Sequence, residues 1–314
     1  MKDSYKGRGL HSLKWAKALC KGGKLYDLLE IVRSDEDLVI EIRNDYFNIY
    51  YKGGNMAKVA SADSIQFDSN YYKGHQRPNY ESKEQENARK ELQKILLKHL
   101  KEKRDYNAFV SFMKSLMNDY WAWLKDERGA SLHEKDVQHS LCISNTEDSE
   151  YTIIDVEFQI STLSEYAYMK PNRPKGRTVA GQKKSPRFDI IAVRNSDHQL
   201  CVIELKSGDK ALSGTSGIGD HADSFEGTIG RKPDAFMKEI LGVIENKKSY
   251  GLLKKNFIVS NNAPEFVYAY SFYENGKRSK EEQKELFLEE RKRMHCEQYR
   301  VMFLEEGNYT LSDK

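Results

Sequence analysis

Cysteine is rare in this chain of 314 residues. Its four cysteines, Cys20, Cys142, Cys201 and Cys296, lie far apart, and no two of them form a C-x-x-C pair. This spacing argues against a zinc site and favours a reducing compartment. The first residues carry no apolar run of the signal-peptide kind, and no stretch approaches transmembrane length. The sequence therefore predicts a soluble, cytoplasmic protein with no membrane partner.

An excess of one charge is also missing, because 51 basic residues face 48 acidic ones and leave a net charge of +3. A surface for nucleic acid would therefore be a local basic patch and not a property of the whole molecule. The hydrophobic fraction of 39% is low, but 19 tyrosines and 13 phenylalanines argue against general disorder. The length predicts two domains or one elaborated domain.

Residues 1–80 are expected to form a small region of helices and strands that recognises a substrate, a partner or a signal. Apolar residues at helical spacing predict two helices before residue 35. Alternation of apolar and polar residues then predicts an antiparallel meander. Its three strands are Asp37–Arg43, Tyr46–Lys52 and Met56–Ala60. Tyr71–Tyr80 has the composition of a linker.

Residues 81–130 predict a pair of helices, Glu84–Lys101 and Asn107–Lys125, each with a single apolar stripe. Residues 131–314 predict a region in which strands and helices follow one another. Its expected elements are a helix over Ser131–Leu141, strands over Tyr151–Thr162, Phe188–Val193 and Leu200–Lys206, a Gly-rich entry to a helix over Ser213–Thr228, a helix over Pro233–Tyr250, a buried strand over Asn256–Asn261, an edge strand over 264–273, a charged helix over Lys280–Met294 and a last strand over Tyr299–Leu304.

Three charged residues interrupt the apolar strands of Pro186–Gly208. Asp189 lies in the first strand, and Glu204 and Lys206 lie in the second. Because side chains alternate along a strand, Glu204 and Lys206 point to one face, which Asp189 can approach if the strands pair. Isolated charges are costly to bury, so buried charges are usually paired or bound to metal. A surface hairpin with an ion pair is the ordinary alternative, but the apolar flanking residues favour a metal site beside a cation.

This arrangement resembles the PD-(D/E)xK nuclease superfamily, in which an Asp comes from one strand and a Glu-x-Lys from the next. Here the Glu-x-Lys is Glu204-Leu205-Lys206, and the Pro-Asp dipeptide is loosened to Pro186-Arg187-Phe188-Asp189. The resemblance covers residues 131–314 and is silent on the rest of the chain. It implies an α/β (α+β) fold in which a restriction-endonuclease-like core has a central mixed sheet flanked by helices. The elements of this core are expected in the order helix, three strands, helix, strand.

The same resemblance implies roles for the charged residues. Asp189 and Glu204 would hold Mg²⁺, for which Mn²⁺ is a possible substitute, through oxygen ligands. Lys206 would orient or deprotonate the attacking water or stabilise the charged transition state. Two further carboxylates could complete the metal site. One is Glu134, in the pattern Glu134-x-x-x-Gln138, whose ordinary alternative is a capping box with Ser131. The other is Glu157, which otherwise is an exposed strand charge.

A basic segment, Lys170–Arg187, directly precedes Asp189 and contains no acidic residue. It therefore reaches the mouth of the predicted site, and we expect it to bind the phosphate backbone of nucleic acid, although a solvated loop is the alternative. Its seven basic residues are Lys170, Arg173, Lys175, Arg177, Lys183, Lys184 and Arg187. His221 and Asp223, which follow the Gly-rich run, are interpreted as a local cap.

Taken together, these features predict a Mg²⁺-dependent nuclease that hydrolyses phosphodiester bonds, with DNA favoured over RNA as the substrate. A role in defence against foreign DNA is implied by the resemblance alone. The alternative is a non-cutting nucleic-acid-binding or scaffold subunit with a nuclease-like fold. Endo- and exonuclease action both stay open, as does a homo-oligomer or a protein partner bound through the N-terminal region.

Overall fold

The computed structural model describes residues 6–67, 71, 83–128, 133–171, 185–208, 211–213, 216–272, 278–305 and 309–312. The chain divides into two compact units. The first, called the N-terminal unit here, is Arg8–Lys135, and the second, the C-terminal unit, is Asp136–Lys314 together with Met1–Gly7. Along the described chain, no helix combines the length and the apolar character that crossing a membrane requires.

The N-terminal unit contains one antiparallel sheet of four strands in the order β1-β2-β3-β4. Its elements are α1 (Leu13–Leu19), α2 (Tyr26–Ser34), β1 (Leu38–Ile42), β2 (Phe47–Tyr51), β3 (Gly54–Ser61), β4 (Ser64–Gln66), α3 (Lys83–Lys103) and α4 (Tyr106–Arg128). The predicted meander is confirmed, and β4 is an addition that the sequence did not predict. The turn between β2 and β3 requires Gly53, whose φ of 68° lies in the left-handed region.

Aromatic residues form much of the core of the N-terminal unit. Trp15 of α1 lies with its ring centroid 5.5 Å from that of Phe47 in β2. From α4, Trp121 contacts Tyr51 of β2 at 5.8 Å. The regular apolar stripe of α4 is therefore a packing surface, as its periodicity predicts. The predicted linker Tyr71–Tyr80 lies outside the described residues except for Tyr71.

The C-terminal unit contains a mixed sheet of five strands in the order β5-β6-β7-β8-β9. Its elements are α5 (His133–Ser144, which begins in the N-terminal unit), β5 (Tyr151–Gln159), β6 (Arg187–Arg194), β7 (Gln199–Ser207), α6 (Ile218–Glu226), α7 (Pro233–Ser249), β8 (Glu265–Ser271), α8 (Lys280–Arg293) and β9 (Arg300–Leu304). The first three strands pair antiparallel, and β8 runs parallel to both β7 and β9. With its two sheets and its helices, the chain belongs to the α+β class. That the mixed sheet is a restriction-endonuclease-like core stays a prediction.

β7 is the central strand of this sheet, with β6 on one side and β8 on the other. Every residue of β7 is buried except Ser207 at its end. A strand covered on both faces needs a nearly continuous apolar run, and Leu200–Ile203 supplies one. Glu204 and Lys206 therefore lie where a charge is most costly to bury.

Two predicted strands are placed differently by the structure. The buried strand expected over Asn256–Asn261 is wrong, because these residues form no strand and Ile258 is 55% exposed. Residues 264–273 were expected at a sheet edge, but β8 lies inside the sheet between β7 and β9. The tyrosines of β8 are buried there, so an aromatic strand that could have lined an edge fills the core. The expected capping residue Ser131 lies outside the described residues.

Candidate active site

The pairing of β6 with β7 brings two carboxylates together. The antiparallel ladder between β6 and β7 ends with Ile190 opposite Ile203, and Asp189 and Glu204 are the next residues beyond this pair on their two strands. Side chains directly opposite in such a ladder lie on the same face of the sheet. The carboxylate of Asp189 is also tied to β7 itself, because its Oδ2 accepts a hydrogen bond of 2.9 Å from the backbone N–H of Leu205.

Alternation along β7 places Lys206 on the same face as Glu204, as predicted. The Nζ of Lys206 donates a hydrogen bond of 2.8 Å to Oε1 of Glu204, and both side chains are no more than 5% exposed. A charge-assisted hydrogen bond of this length is stronger than a neutral one and holds both groups in position. The structure thus gathers Asp189, Glu204 and Lys206 at one place on the sheet.

A histidine from α6 completes the surroundings of Glu204. Nδ1 of His221 lies 3.0 Å from Oε2 of Glu204, so each carboxylate oxygen has a nitrogen within hydrogen-bond distance. Nearly all of α6 is buried, including three ionisable residues in its first two turns, Asp220, His221 and Asp223. The interpretation of His221 as a local cap is therefore incomplete, because its imidazole also reaches across to the sheet.

A glutamine from α5 contacts the other strand of the site. Nε2 of Gln138 donates a hydrogen bond of 3.1 Å to the backbone carbonyl of Asp189. Gln138 is buried, so this bond satisfies an amide that would otherwise be costly to enclose. It also fixes α5 against β6 at the residue that carries the carboxylate.

Electrostatics set Asp189 apart from an ordinary aspartate. Burial of its carboxyl group, followed by the nearby charge of Glu204, raises the pKa of Asp189 to about 8, against the opposing charges of Lys206 and His221. Two carboxylates that share an enclosed site cannot both ionise without mutual repulsion. A divalent cation between them would remove this repulsion, so the donor set is chemically suited to one.

The two additional carboxylates predicted for the metal site have surroundings in the structure other than those predicted. Glu157 lies in β5 with a left-handed φ of 54°, and its carboxylate pairs with Arg187 at 2.6 Å. Glu134 lies in the first turn of α5 with an exposed side chain. No group of three or more His, Cys, Asp or Glu side chains that could hold a metal ion is present among the described residues. The pair that the structure brings together is therefore Asp189 with Glu204.

Most of the predicted phosphate-binding segment lies outside the described residues. Five of its seven basic residues do so: Arg173, Lys175, Arg177, Lys183 and Lys184. Lys170 and Arg187 are described, and both are exposed. Arg187 is occupied by its ion pair with Glu157, so the two residues predicted for different roles bind each other in this structure.

Two residues that contact the site, His221 and Gln138, received no functional role from the sequence. A signal was present for His221, because three ionisable residues in four positions of a short helix are unusual in a fully buried segment. The signal for Gln138 was its place in the pattern Glu134-x-x-x-Gln138, but this pattern did not predict its contact to backbone on a strand 51 residues further along. Comparisons of this chain with protein-family models, with curated proteins and with solved structures each found no match.

Proposed function

We propose that this protein is a Mg²⁺-dependent nuclease that hydrolyses phosphodiester bonds in DNA. One observation carries the proposal, namely the buried pair of Glu204 and Lys206 beside the carboxylate of Asp189 on adjacent strands. A core sheet has no structural need for three charges at its centre, because apolar residues of similar size pack there at lower cost. Buried ionisable groups with a strongly shifted pKa cluster at functional sites.

The order of elements also supports the proposal. The C-terminal unit runs as a helix, three antiparallel strands, helices and a strand parallel to the third. This is the order that the resemblance implies for a nuclease core, and the motif residues Asp189, Glu204 and Lys206 lie on its second and third strands. The order of elements bears on the fold, whereas the charged residues bear on the chemistry.

Two carboxylates are sufficient for the proposed ion. Mg²⁺ keeps several waters and is commonly held by one or two carboxylates together with phosphate oxygens of the substrate. Asp189 and Glu204 would supply the protein oxygens, and substrate and water the others. When bound, Mg²⁺ would neutralise charge on the scissile phosphate and lower the pKa of a nearby water.

The remaining groups act through position and charge. Lys206 would place its ammonium group beside the reacting phosphate, where it can orient water or stabilise the additional negative charge of the transition state. The N–H of Leu205 holds Oδ2 of Asp189, and Gln138 holds the backbone of the same residue. These contacts fix the first carboxylate before substrate arrives, which reduces the reorganisation required during reaction.

A non-cutting nucleic-acid-binding protein is the second candidate. It is favoured by one observation, that the described residues contain no cluster of three potential metal ligands. In that case the ion pair between Lys206 and Glu204 would be a structural element of the sheet. The two candidates differ in whether product forms, so a single assay separates them.

Incubation of the purified protein with linear, circular and single-stranded DNA and with RNA, each with Mg²⁺ or EDTA, tests the proposal. We expect cleavage of DNA with Mg²⁺ and none with EDTA. Circular DNA distinguishes endonuclease from exonuclease action, because only an endonuclease cuts it. Binding of nucleic acid without cleavage of any substrate would reject the nuclease and favour the second candidate. Cleavage of RNA alone would show that the substrate is RNA and not DNA.

A further inference from the structure

We infer that His221 is a positioning residue for the candidate metal site, holding the carboxylate of Glu204 in the orientation that binds the ion. This inference rests on the proposed function and adds a residue to it. His221 lies on α6, outside the strands that carry Asp189, Glu204 and Lys206. Its imidazole contacts Oε2 of Glu204, whereas Lys206 contacts Oε1.

The geometry around Glu204 is that of a carboxylate fixed from both sides. Lys206 lies 2.8 Å from Oε1, and His221 lies 3.0 Å from Oε2. A glutamate side chain has three rotatable bonds, so a single contact at Oε1 would leave the carboxylate able to turn about its last bond. The second contact removes this rotation and sets the plane of the carboxylate.

Both contacts leave Glu204 able to bind a cation. A carboxylate has about four lone-pair directions. Lys206 takes one of them through its hydrogen bond to Oε1, and Nδ1 of His221 lies 3.0 Å from Oε2 as a close polar contact, so directions remain for a cation. Hydrogen bonds to a ligating carboxylate are a general feature of metal sites, and removing such a partner typically weakens metal binding by about 10- to 100-fold. His221 is therefore expected to act on metal affinity and not on the chemical step.

The imidazole itself is held in place by burial. His221 is 6% exposed, and its neighbours Ile218, Ala222 and Phe225 on α6 are also buried. A second anchor fixes the start of the helix, because the hydroxyl of Tyr268 in β8 donates a hydrogen bond of 2.8 Å to the carbonyl of Ile218. β8 pairs with β7 so that Tyr268 lies beside Glu204 in the sheet. The strand that flanks Glu204 thus also positions the helix that carries His221.

The test is the affinity for Mn²⁺, measured by calorimetry without nucleic acid, in the wild type and in three variants. We expect His221→Leu to weaken Mn²⁺ binding by about 10- to 100-fold. We expect His221→Asn to retain affinity within a few-fold, because its amide nitrogen takes the position of Nδ1. Ser224→Ala, one turn further along α6, serves as the matched control for altered packing of the helix and should bind like the wild type.

Cleavage assays provide the second measurement. The Mg²⁺ concentration for half-maximal cleavage should rise in His221→Leu while the rate at saturating Mg²⁺ stays within a few-fold of the wild type. Should His221→Leu fail to fold, His221→Gln replaces it, since its amide nitrogen corresponds to Nε2 and should not restore the polar contact with Oε2 of Glu204.

The outcomes separate the two proposals. If His221→Leu binds Mn²⁺ as tightly as the wild type does, the role proposed for His221 is overturned. The nuclease proposal is then still intact. Equal losses in His221→Leu and Ser224→Ala also overturn it, because they would report packing of α6. A wild type that binds no divalent ion and cleaves nothing overturns both proposals.

Discussion

Each of the two units contains a lysine paired with a carboxylate that has a second carboxylate nearby, and the two sites differ chiefly in burial. In the N-terminal unit, Nζ of Lys114 lies 2.7 Å from Asp35 and 3.2 Å from Asp37, with all three side chains at least 21% exposed. In the C-terminal unit, Lys206 and Glu204 are almost fully enclosed beside Asp189. The same types of charge therefore meet in water at one site and in the core at the other.

The pKa shifts at the two sites differ accordingly. Partial burial acts to lower the pKa of Lys114, but its hydrogen bonds to Asp35 and Asp37 raise that pKa overall. At the buried site, burial and the second carboxylate outweigh the nearby cations, and the pKa of Asp189 rises to about 8. An exposed ion pair contributes about 0–1 kcal/mol and needs no functional explanation. A buried carboxylate beside a second, partly buried one is expensive, and this cost favours a functional role for the C-terminal site.

The largest expected effect comes from removing a carboxylate at the buried site. Asp189→Asn and Glu204→Gln should each reduce cleavage by about a thousandfold or more, since a bound metal supplies several kcal/mol to phosphoryl chemistry. Asp35→Asn in the N-terminal unit is the matched control and should cleave like the wild type. Initial rates of cleavage of linear DNA measure the effect of each of these substitutions. Full activity in either site variant would contradict the assignment.

Replacing the two lysines sharpens the comparison. Lys206→Met should slow the chemical step by about 100-fold or more even at saturating Mn²⁺, because its ammonium group is proposed to act on water or the transition state. Loss of its hydrogen bond to Glu204 should in addition weaken Mn²⁺ binding, whereas DNA binding should be retained. Lys114→Met should leave cleavage unchanged and lower the free energy of unfolding by about 1 kcal/mol. Single-turnover rates, calorimetry and urea unfolding test these expectations. An unchanged single-turnover rate at saturating Mn²⁺ in Lys206→Met would show that the lysine only holds Glu204 and has no separate chemical role.

The basic segment Lys170–Arg187 is expected to affect binding more than catalysis. A variant with alanine at Lys175, Arg177, Lys183 and Lys184 should reduce the slope of log affinity against log salt by about one unit for each phosphate that the segment no longer binds. Affinity should fall equally for all DNA sequences, since phosphates carry no sequence code. A double variant, Lys52→Ala with Lys58→Ala in the N-terminal unit, is measured across the same salt series for comparison. An unchanged slope in the first variant and a reduced slope in the second would transfer the binding surface to β2 and β3.

The last expected effect is on stability as a function of pH. The pKa of Asp189 is raised in the folded protein, so the folded state binds its proton more tightly than the unfolded state does. The contribution to stability is complete below the unfolded pKa of 3.8 and is lost as the pH rises towards about 8. Lys114 has a raised pKa as well, but its contribution is lost only above 10.5.

Thermal unfolding of the metal-free protein in EDTA measures this difference. Asp189→Asn should be no less stable than the wild type, and its advantage should grow between pH 4 and pH 8, since asparagine carries no charge to bury. Lys114→Met should show a constant difference over the same interval. A wild-type midpoint that rises from pH 5 to pH 8 relative to Asp189→Asn would contradict the raised pKa.

Much of the fold could be predicted from local patterns. The strands β5, β6 and β7 and the helices α4, α7 and α8 lie close to the predicted ranges, because apolar periodicity along a segment records which face it buries. The prediction for Asn256–Asn261 was wrong, since a short apolar run has the same composition in a loop as in a strand. β8 lies beside β7 through parallel pairing over seven residues, a non-local interaction that no sequence window contains.

The sequence by itself determined which charges interrupt the core strands and that Glu204 and Lys206 share a face, because alternation is a property of a single strand. Only the tertiary structure decided the remaining contacts of the site. It brought Asp189 near Glu204 beyond the end of the β6–β7 ladder, and it brought His221 and Gln138 from helices to the sheet. These contacts depend on how separate elements pack, and packing is fixed by the shape of the whole core and not by any one segment.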